Sequence, residues 1–156
     1  MPDFWKDKLA RPKTKEEALQ QMRLMWITFL VSILLYVYIG ETMPGFEWLN
    51  FRHAGKTFVT AAVLDVLLFF WYRTKRYRAA VDLAKAHPED FRAVRRWMTH
   101  WMILLCIAES EAVYGICLRM GNKTLQQSLP LYGVGFLLTL SLWPRPTWAS
   151  TRIADK

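Results

Sequence analysis

The sequence has few of the residues from which small active sites are built. It contains two cysteines and three histidines in 156 residues, with no Cys-x-x-Cys pair and no spacing that suits a metal ion. Its seven glycines form no phosphate-binding loop, and no order of serine, histidine and acid suggests a catalytic triad. We therefore predict no metal, no cofactor and no enzymatic activity.

The charged residues of the N-terminus and of the loops argue against a signal peptide and against nucleic-acid binding. The N-terminal stretch MPDFWKDKLARPK is charged and lacks an apolar core, so no removable signal peptide is expected. The chain is basic, with a net charge of +8 and a pI of about 9.7, which could indicate a nucleic-acid partner. Because its Lys and Arg residues flank apolar segments instead, we predict no nucleic-acid binding.

Apolar and aromatic side chains are abundant, at 53% and 15% of residues, although the mean hydropathy is only +0.08. These values agree because the apolar residues are concentrated near 22–40, 57–72, 97–118 and 129–143. A helix of about 20 residues crosses the hydrocarbon core of a bilayer. We predict an all-α polytopic membrane protein, a single domain of four transmembrane helices in two hairpins. A soluble bundle is the alternative, but these segments lack the polar face it needs.

Lys and Arg residues are distributed unevenly among the connections. They cluster before the first segment, between the second and third, and after the fourth, and are sparse in the other two loops. Since basic loops stay in the cytoplasm, both termini and the central loop are predicted to be cytoplasmic, in a multi-pass protein of the inner (plasma) membrane. The central loop, 73–96, is expected to form a helical hairpin whose basic residues bind anionic lipid headgroups.

Three acidic residues interrupt the apolar segments, namely Asp65 in the second and Glu109 and Glu111 in the third. An acid at the centre of a membrane helix costs roughly 2.5–3.5 kcal/mol on insertion scales, and usually faces the bundle interior or a cavity. No Lys or Arg lies at that depth. At least one of the acids is therefore predicted to be protonated at neutral pH, or to share a proton or a bound cation.

Glu109 and Glu111 cannot face the same point, because a helix turns about 100° per residue and places them about 200° apart. We expect one to face Asp65 or the polar residues of the first segment. The other should face a different surface, which in lipid requires a second protein. Three roles stay open for these acids: neutral carboxyls hydrogen-bonded to Ser, Thr, Tyr or backbone, an ion or proton site, and contact with a partner subunit.

Two polar stripes with the same four-residue spacing follow the first and third segments. They are Thr28, Ser32 and Tyr36, and Cys106, Ser110 and Tyr114. Their offset (110 − 32 = 78) is half of the 156 residues and suggests a duplicated helical hairpin, with coincidence as the alternative. Small polar residues favour close helix approach and interhelical hydrogen bonds of about 0.6 kcal/mol. The two stripes should therefore face each other or equivalent partners.

The motif Ala108-Glu109-x-x-Ala112-x-Tyr114-Gly115 resembles the carboxylate helix of the proteolipid (c-type) subunits of rotary ATPases. The resemblance implies that an acid of this helix carries a translocated ion. The first segment, WITFLVSILLYVY, departs from that family because it is bulky and glycine-poor, and the central loop is much longer. The whole chain resembles small, uncharacterised four-helix bacterial inner-membrane proteins with an AES-x-A-x-YG third helix, which implies a fold and no activity.

These observations together predict a non-catalytic subunit or accessory protein of a larger membrane complex. Its partners would be the lipid bilayer and other membrane-protein subunits, or further copies of itself. The alternative is a proton- or cation-translocating, proteolipid-like protein that uses Glu109 or Glu111. A weaker alternative is an enzyme or cofactor carrier, with His100 as a single haem or chlorophyll ligand.

Overall fold

The structure is a computed structural model that describes residues 15–42, 54–87, 90–121 and 124–145. Within these ranges the chain is helical and contains no strand, which confirms the predicted all-α class. The helices are α1 (Lys15–Thr42), α2 (Ala54–Tyr72), α3 (Arg78–Ala86), α4 (Phe91–Met120) and α5 (Leu125–Leu140). A π-helical turn, Arg73–Tyr77, joins α2 to α3, so that the two form one continuous rod.

Three helical stretches are long and apolar enough to cross a membrane, namely Glu16–Thr42, Gly55–Ala86 and Phe91–Met120. The prediction of membrane-spanning helices is confirmed to this extent. The fourth predicted segment, 129–143, falls largely in α5, which has only 16 residues. A helix of that length is about 24 Å long, shorter than the roughly 30 Å hydrocarbon core, so length alone does not show a fourth span.

The predicted helical hairpin over 73–96 corresponds to the π-helical turn, α3 and the first residues of α4, and α3 packs against α4. Its second arm begins where Asp90 caps α4. The Asp90 carboxylate accepts a hydrogen bond from the backbone N–H of Arg92 at 2.8 Å. Such a cap satisfies one of the amide groups that have no partner in the first turn of a helix.

Helix α4 is the central element of the fold. Helices α1, α2 and α5 each pack against it, and α1 also packs against α5. In the described ranges α2 packs mainly against α4, with no extensive interface to α1. The outer faces of α1 and α2 expose large apolar side chains such as Leu34, Leu64 and Leu67, as expected of helices surrounded by lipid.

Small residues let α4 and α5 approach closely. A Cβ atom added to Gly135 of α5 would lie 2.8 Å from the carbonyl oxygen of Ala108 and 3.2 Å from Cβ of Glu111. A Cβ atom added to Gly115 of α4 would lie 2.8 Å from the ring of Tyr132. Close packing of this kind drives helix association in lipid, where acyl chains are as apolar as the side chains they replace.

Two tryptophans tie the end of α5 to the rest of the fold. The indole N–H of Trp26 donates to the carbonyl oxygen of Thr139 at 2.7 Å, and that of Trp101 donates to Leu142 at 2.8 Å. The last carbonyls of a helix lack partners within the helix and must find them elsewhere. The Trp26 indole, on α1, supplies part of that need, and the Trp101 indole, on α4, binds the chain two residues beyond the end of α5.

We expect Gly135→Ala to destabilise the protein by roughly 1–3 kcal/mol, because the new methyl group has no room against the backbone of α4. Gly133→Ala is a matched control in the same helix, since a Cβ atom there would have no neighbour within 4 Å. It should be neutral or stabilising by up to about 1 kcal/mol. Unfolding in detergent, followed by circular dichroism, measures both, and equal effects would contradict the packing described.

Candidate functional site

The side chain of Glu109 joins α4 to α1. One of its carboxyl oxygens, Oε1, lies 2.6 Å from Oγ of Ser32 and 3.2 Å from the hydroxyl of Tyr36. Ser32 and Tyr36 are one helical turn apart on α1, so both hydroxyls reach the same oxygen. We refer to Ser32, Tyr36 and Glu109 as the Glu109 clamp.

The side chain of Asp65 joins α2 to α4 in the same way. Its oxygen Oδ2 lies 2.7 Å from Oγ of Ser110 and 2.9 Å from the hydroxyl of Tyr114. Ser110 and Tyr114 are again one turn apart, here on α4. We refer to Ser110, Tyr114 and Asp65 as the Asp65 clamp.

The two clamps repeat one arrangement of side chains. In each, a Ser and a Tyr four residues apart contact a single carboxyl oxygen from another helix. Of the two predicted arrangements, the polar stripes of α1 and α4 do not face each other but face equivalent partners, since each meets a carboxyl group. Their third members take no part, because Thr28 donates to Leu24 of its own helix and Cys106 is exposed.

Both clamps lie at the same level of α4. Glu109 and Ser110 are consecutive residues, which a helix separates by about 1.5 Å along its axis and about 100° around it. The clamps thus hold α1 and α2 on different sides of α4 at one height. The three acids predicted from the sequence come from this level, but among the described residues only two of them have hydrogen-bond partners.

Glu111 is fully buried, with no exposed surface. Among the described residues, neither of its carboxyl oxygens has a hydrogen-bond partner. We predicted that the second acid of this helix would face a different surface, one that requires a second protein. Glu111 does face a different side of α4 from Glu109, but another helix of the same chain covers it. Helix α5 covers it, because Gly135 has no side chain to hold the two helices apart. The glycine was the sequence signal for this, and we did not interpret it.

An open groove of about 420 Å³ runs along α4 beside α2. Its lining consists of Asp65 from α2 and, from α4, Thr99, Met102, Ile103, Cys106, Ile107 and Ser110. One end of the groove therefore reaches the Asp65 clamp. Cys106 and Ile103 are exposed on its floor. This groove was not predicted, since its shape depends on the distance between α2 and the outer face of α4.

The basic side chains near the bundle lie away from the clamps. Arg119 forms an ion pair with Glu41, with 2.7 Å between Nε and Oε1, close to the C-terminal ends of α4 and α1. Ser110 and Arg119 are nine residues apart on α4, or about 13 Å along the axis. The carboxyls of the clamps therefore share their level of the bundle with hydroxyl groups and with no cation among the described residues.

His100, named above as a possible haem or chlorophyll ligand, lies nearer the N-terminal end of α4 than the clamps do. Nδ1 of His100 forms a short hydrogen bond with the hydroxyl of Tyr72 on α2. The residues that the structure describes contain no group of three or more His, Cys, Asp or Glu side chains that could hold a metal ion.

No protein-family model, curated protein or solved structure matches the chain. The site is therefore interpreted from its own chemistry.

We expect Tyr36→Phe to weaken the packing of α1 on α4, because it removes one hydrogen bond of the Glu109 clamp. The loss in unfolding free energy should be about 0.6 kcal/mol, the average for interhelical hydrogen bonds in membranes. Tyr38→Phe is the matched control, since Tyr38 lies on the same helix and is 65% exposed. Unfolding of both variants in detergent micelles tests this, and a control as destabilised as Tyr36→Phe would refute it.

Proposed function

We propose that this protein is a non-catalytic subunit or accessory protein of a larger membrane complex. The observation that carries the proposal is the open groove between α2 and the outer face of α4, a concave and largely apolar surface on the outside of the bundle. Asp65 and Ser110, which belong to the Asp65 clamp, lie in its lining.

A helix of a second membrane protein suits the groove. Association of membrane helices is driven largely by van der Waals packing, and a concave apolar lining offers a surface for such packing. The floor of the groove also carries apolar side chains, Met102, Ile103 and Ile107, that a neighbouring helix could cover. A partner would in addition support α2, which packs mainly against α4.

The proposed topology has four spans, with both termini and the region from Arg73 to Arg96 in the cytoplasm. The uneven distribution of Lys and Arg supports this orientation. Helix α5 would act as the fourth span together with the residues that follow it, where Trp143 is 44% exposed and suits a membrane interface. Exposed Lys75, Arg76 and Arg92 would then face anionic lipid headgroups of the inner membrane.

Photocrosslinking from the groove tests the subunit assignment. We expect a benzophenone amino acid at Ile103 to crosslink a discrete partner in cells, and mild-detergent extraction to bring both out in one complex. The same amino acid at Leu137, which is 65% exposed on α5, serves as the control and should give no such product. A lone monomer in mild detergent, with no crosslink from position 103, would overturn the proposal.

A second candidate function, proton or cation translocation, is favoured by one observation. Glu111 is a buried acid without a hydrogen-bond partner among the described residues, so nothing there fixes its protonation state except burial. An ionised carboxylate in such surroundings is very unfavourable, and groups of this kind usually neutralise instead. A carboxyl that gains and loses a proton within a membrane is the element that proton carriers share.

Proteoliposomes distinguish this candidate from the first. If the protein moves protons, wild-type vesicles with an imposed potential should acidify inside, as reported by a trapped pH-sensitive dye. Glu111→Gln should abolish that flux, because an amide cannot carry a proton. Vesicles of the wild-type protein that behave like empty ones would exclude this function while leaving the subunit assignment intact.

A further inference from the structure

The hydrogen bonds of the two clamps can be counted, and the count depends on protonation. Besides its contact with Glu109, Oγ of Ser32 lies 2.8 Å from the backbone carbonyl oxygen of Phe29. Oγ of Ser110 likewise lies 2.7 Å from the carbonyl oxygen of Ile107. Each clamp therefore contains three close oxygen–oxygen contacts: serine to carboxyl, tyrosine to carboxyl, and serine to the carbonyl three residues earlier.

An ionised carboxylate leaves one of those contacts without a hydrogen. A serine and a tyrosine hydroxyl supply one hydrogen each, while carbonyl and carboxylate oxygens only accept. Two hydrogens cannot give each of three contacts its own, so one hydrogen would have to be shared between two acceptors. In the Glu109 clamp the contact without its own hydrogen would join two oxygens at 2.6, 2.8 or 3.2 Å that repel each other. A protonated carboxyl supplies the third hydrogen and removes that repulsion.

The lengths of the tyrosine contacts agree with a neutral acid. Hydrogen bonds from a hydroxyl to an ionised carboxylate are short, at about 2.5–2.7 Å. Tyr36 lies 3.2 Å from Glu109, and Tyr114 lies 2.9 Å from Asp65. In both clamps the serine contact is the shorter one, at 2.6 and 2.7 Å, which is within the ordinary range for a carboxyl O–H that donates to a serine hydroxyl.

We infer that Asp65 and Glu109 are two equivalent proton-binding sites, both occupied at neutral pH. In each clamp the carboxyl O–H donates to the serine Oγ, the serine O–H donates to its own helix, and the tyrosine O–H donates to the carboxyl. The ligand is the proton itself. The inference concerns the isolated chain and does not depend on the proposed subunit function.

The groups around the clamps offer no charge that would favour ionisation. Asp65 faces Ser110 and Tyr114 of α4, and the further acid on that helix, Glu111, is also near it. Glu109 faces Ser32 and Tyr36 of α1. No Lys or Arg lies at this level on the described parts of α1, α2, α4 or α5. Like charges close together disfavour the ionised form of each acid.

Infrared spectroscopy of the purified protein in lipid vesicles at pH 7 tests the inference. A protonated carboxyl has a C=O stretch that is separate from the amide bands and shifts in D₂O. We expect Asp65→Asn and Glu109→Gln each to remove one component of this band. Ser110→Ala should move the Asp65 component to higher frequency, because its proton loses its acceptor, and Ser32→Ala should do the same for Glu109.

Glu111→Gln is the matched control for these spectra. It removes a neighbouring acid that has no hydrogen-bond partner among the described residues, so it should remove a different component and leave those of the clamps in place. If Asp65→Asn and Glu109→Gln leave the carboxylic band of the wild-type protein unchanged, both sites are ionised and the inference fails.

Chemical labelling of the wild-type protein provides a second measurement, in case the variants do not fold. Dicyclohexylcarbodiimide adds to a protonated carboxyl and rearranges to a stable N-acylurea, so its whole mass is added to the residue. Asp65 lines the open groove and should be labelled at pH 7, whereas fully buried Glu111 should not. Peptide mapping by mass spectrometry locates the adduct. The absence of label on Asp65 would overturn the inference.

Discussion

The fold depends on where the carboxyl groups of Asp65 and Glu109 find their hydrogen bonds. Lipid offers none, and the described part of the chain places no cation beside them, so hydroxyls of neighbouring helices must serve. Each carboxyl thereby fixes one helix against α4, and both do so at one height. Interhelical hydrogen bonds matter most where apolar side chains gain little by leaving lipid for one another.

The helices around α4 are attached to it in two different ways. On one side Gly135 lets α5 approach until backbone and side chains touch, and that contact buries Glu111 completely. On the other sides α1 and α2 are attached through the serine and tyrosine hydroxyls of the clamps. Helix α2, which packs mainly against α4, borders the open groove, and the Asp65 clamp lies in the lining of that groove.

Much of the architecture follows from local patterns. The apolar segments predicted three of the helices that could cross a membrane, because their length and composition are properties of consecutive residues. The fourth segment was harder, since α5 ends at Leu140 and carbonyls at its end and just beyond it accept hydrogen bonds from Trp26 and Trp101, in distant parts of the chain. Periodicity also placed Ser32 with Tyr36, and Ser110 with Tyr114, on common helix faces, because a four-residue spacing is one turn.

The sequence by itself determined which residues carry the polar chemistry: three acids without a cation at their depth, and two Ser-x-x-x-Tyr pairs. Only the tertiary structure decided how they are paired, since pairing depends on which helices are neighbours and how far apart they lie. It matched Asp65 and Glu109 with hydroxyls and left Glu111 without any among the described residues. That difference comes from Gly135 on α5, because a glycine lets α5 cover Glu111, and this effect appears only when the helices are packed.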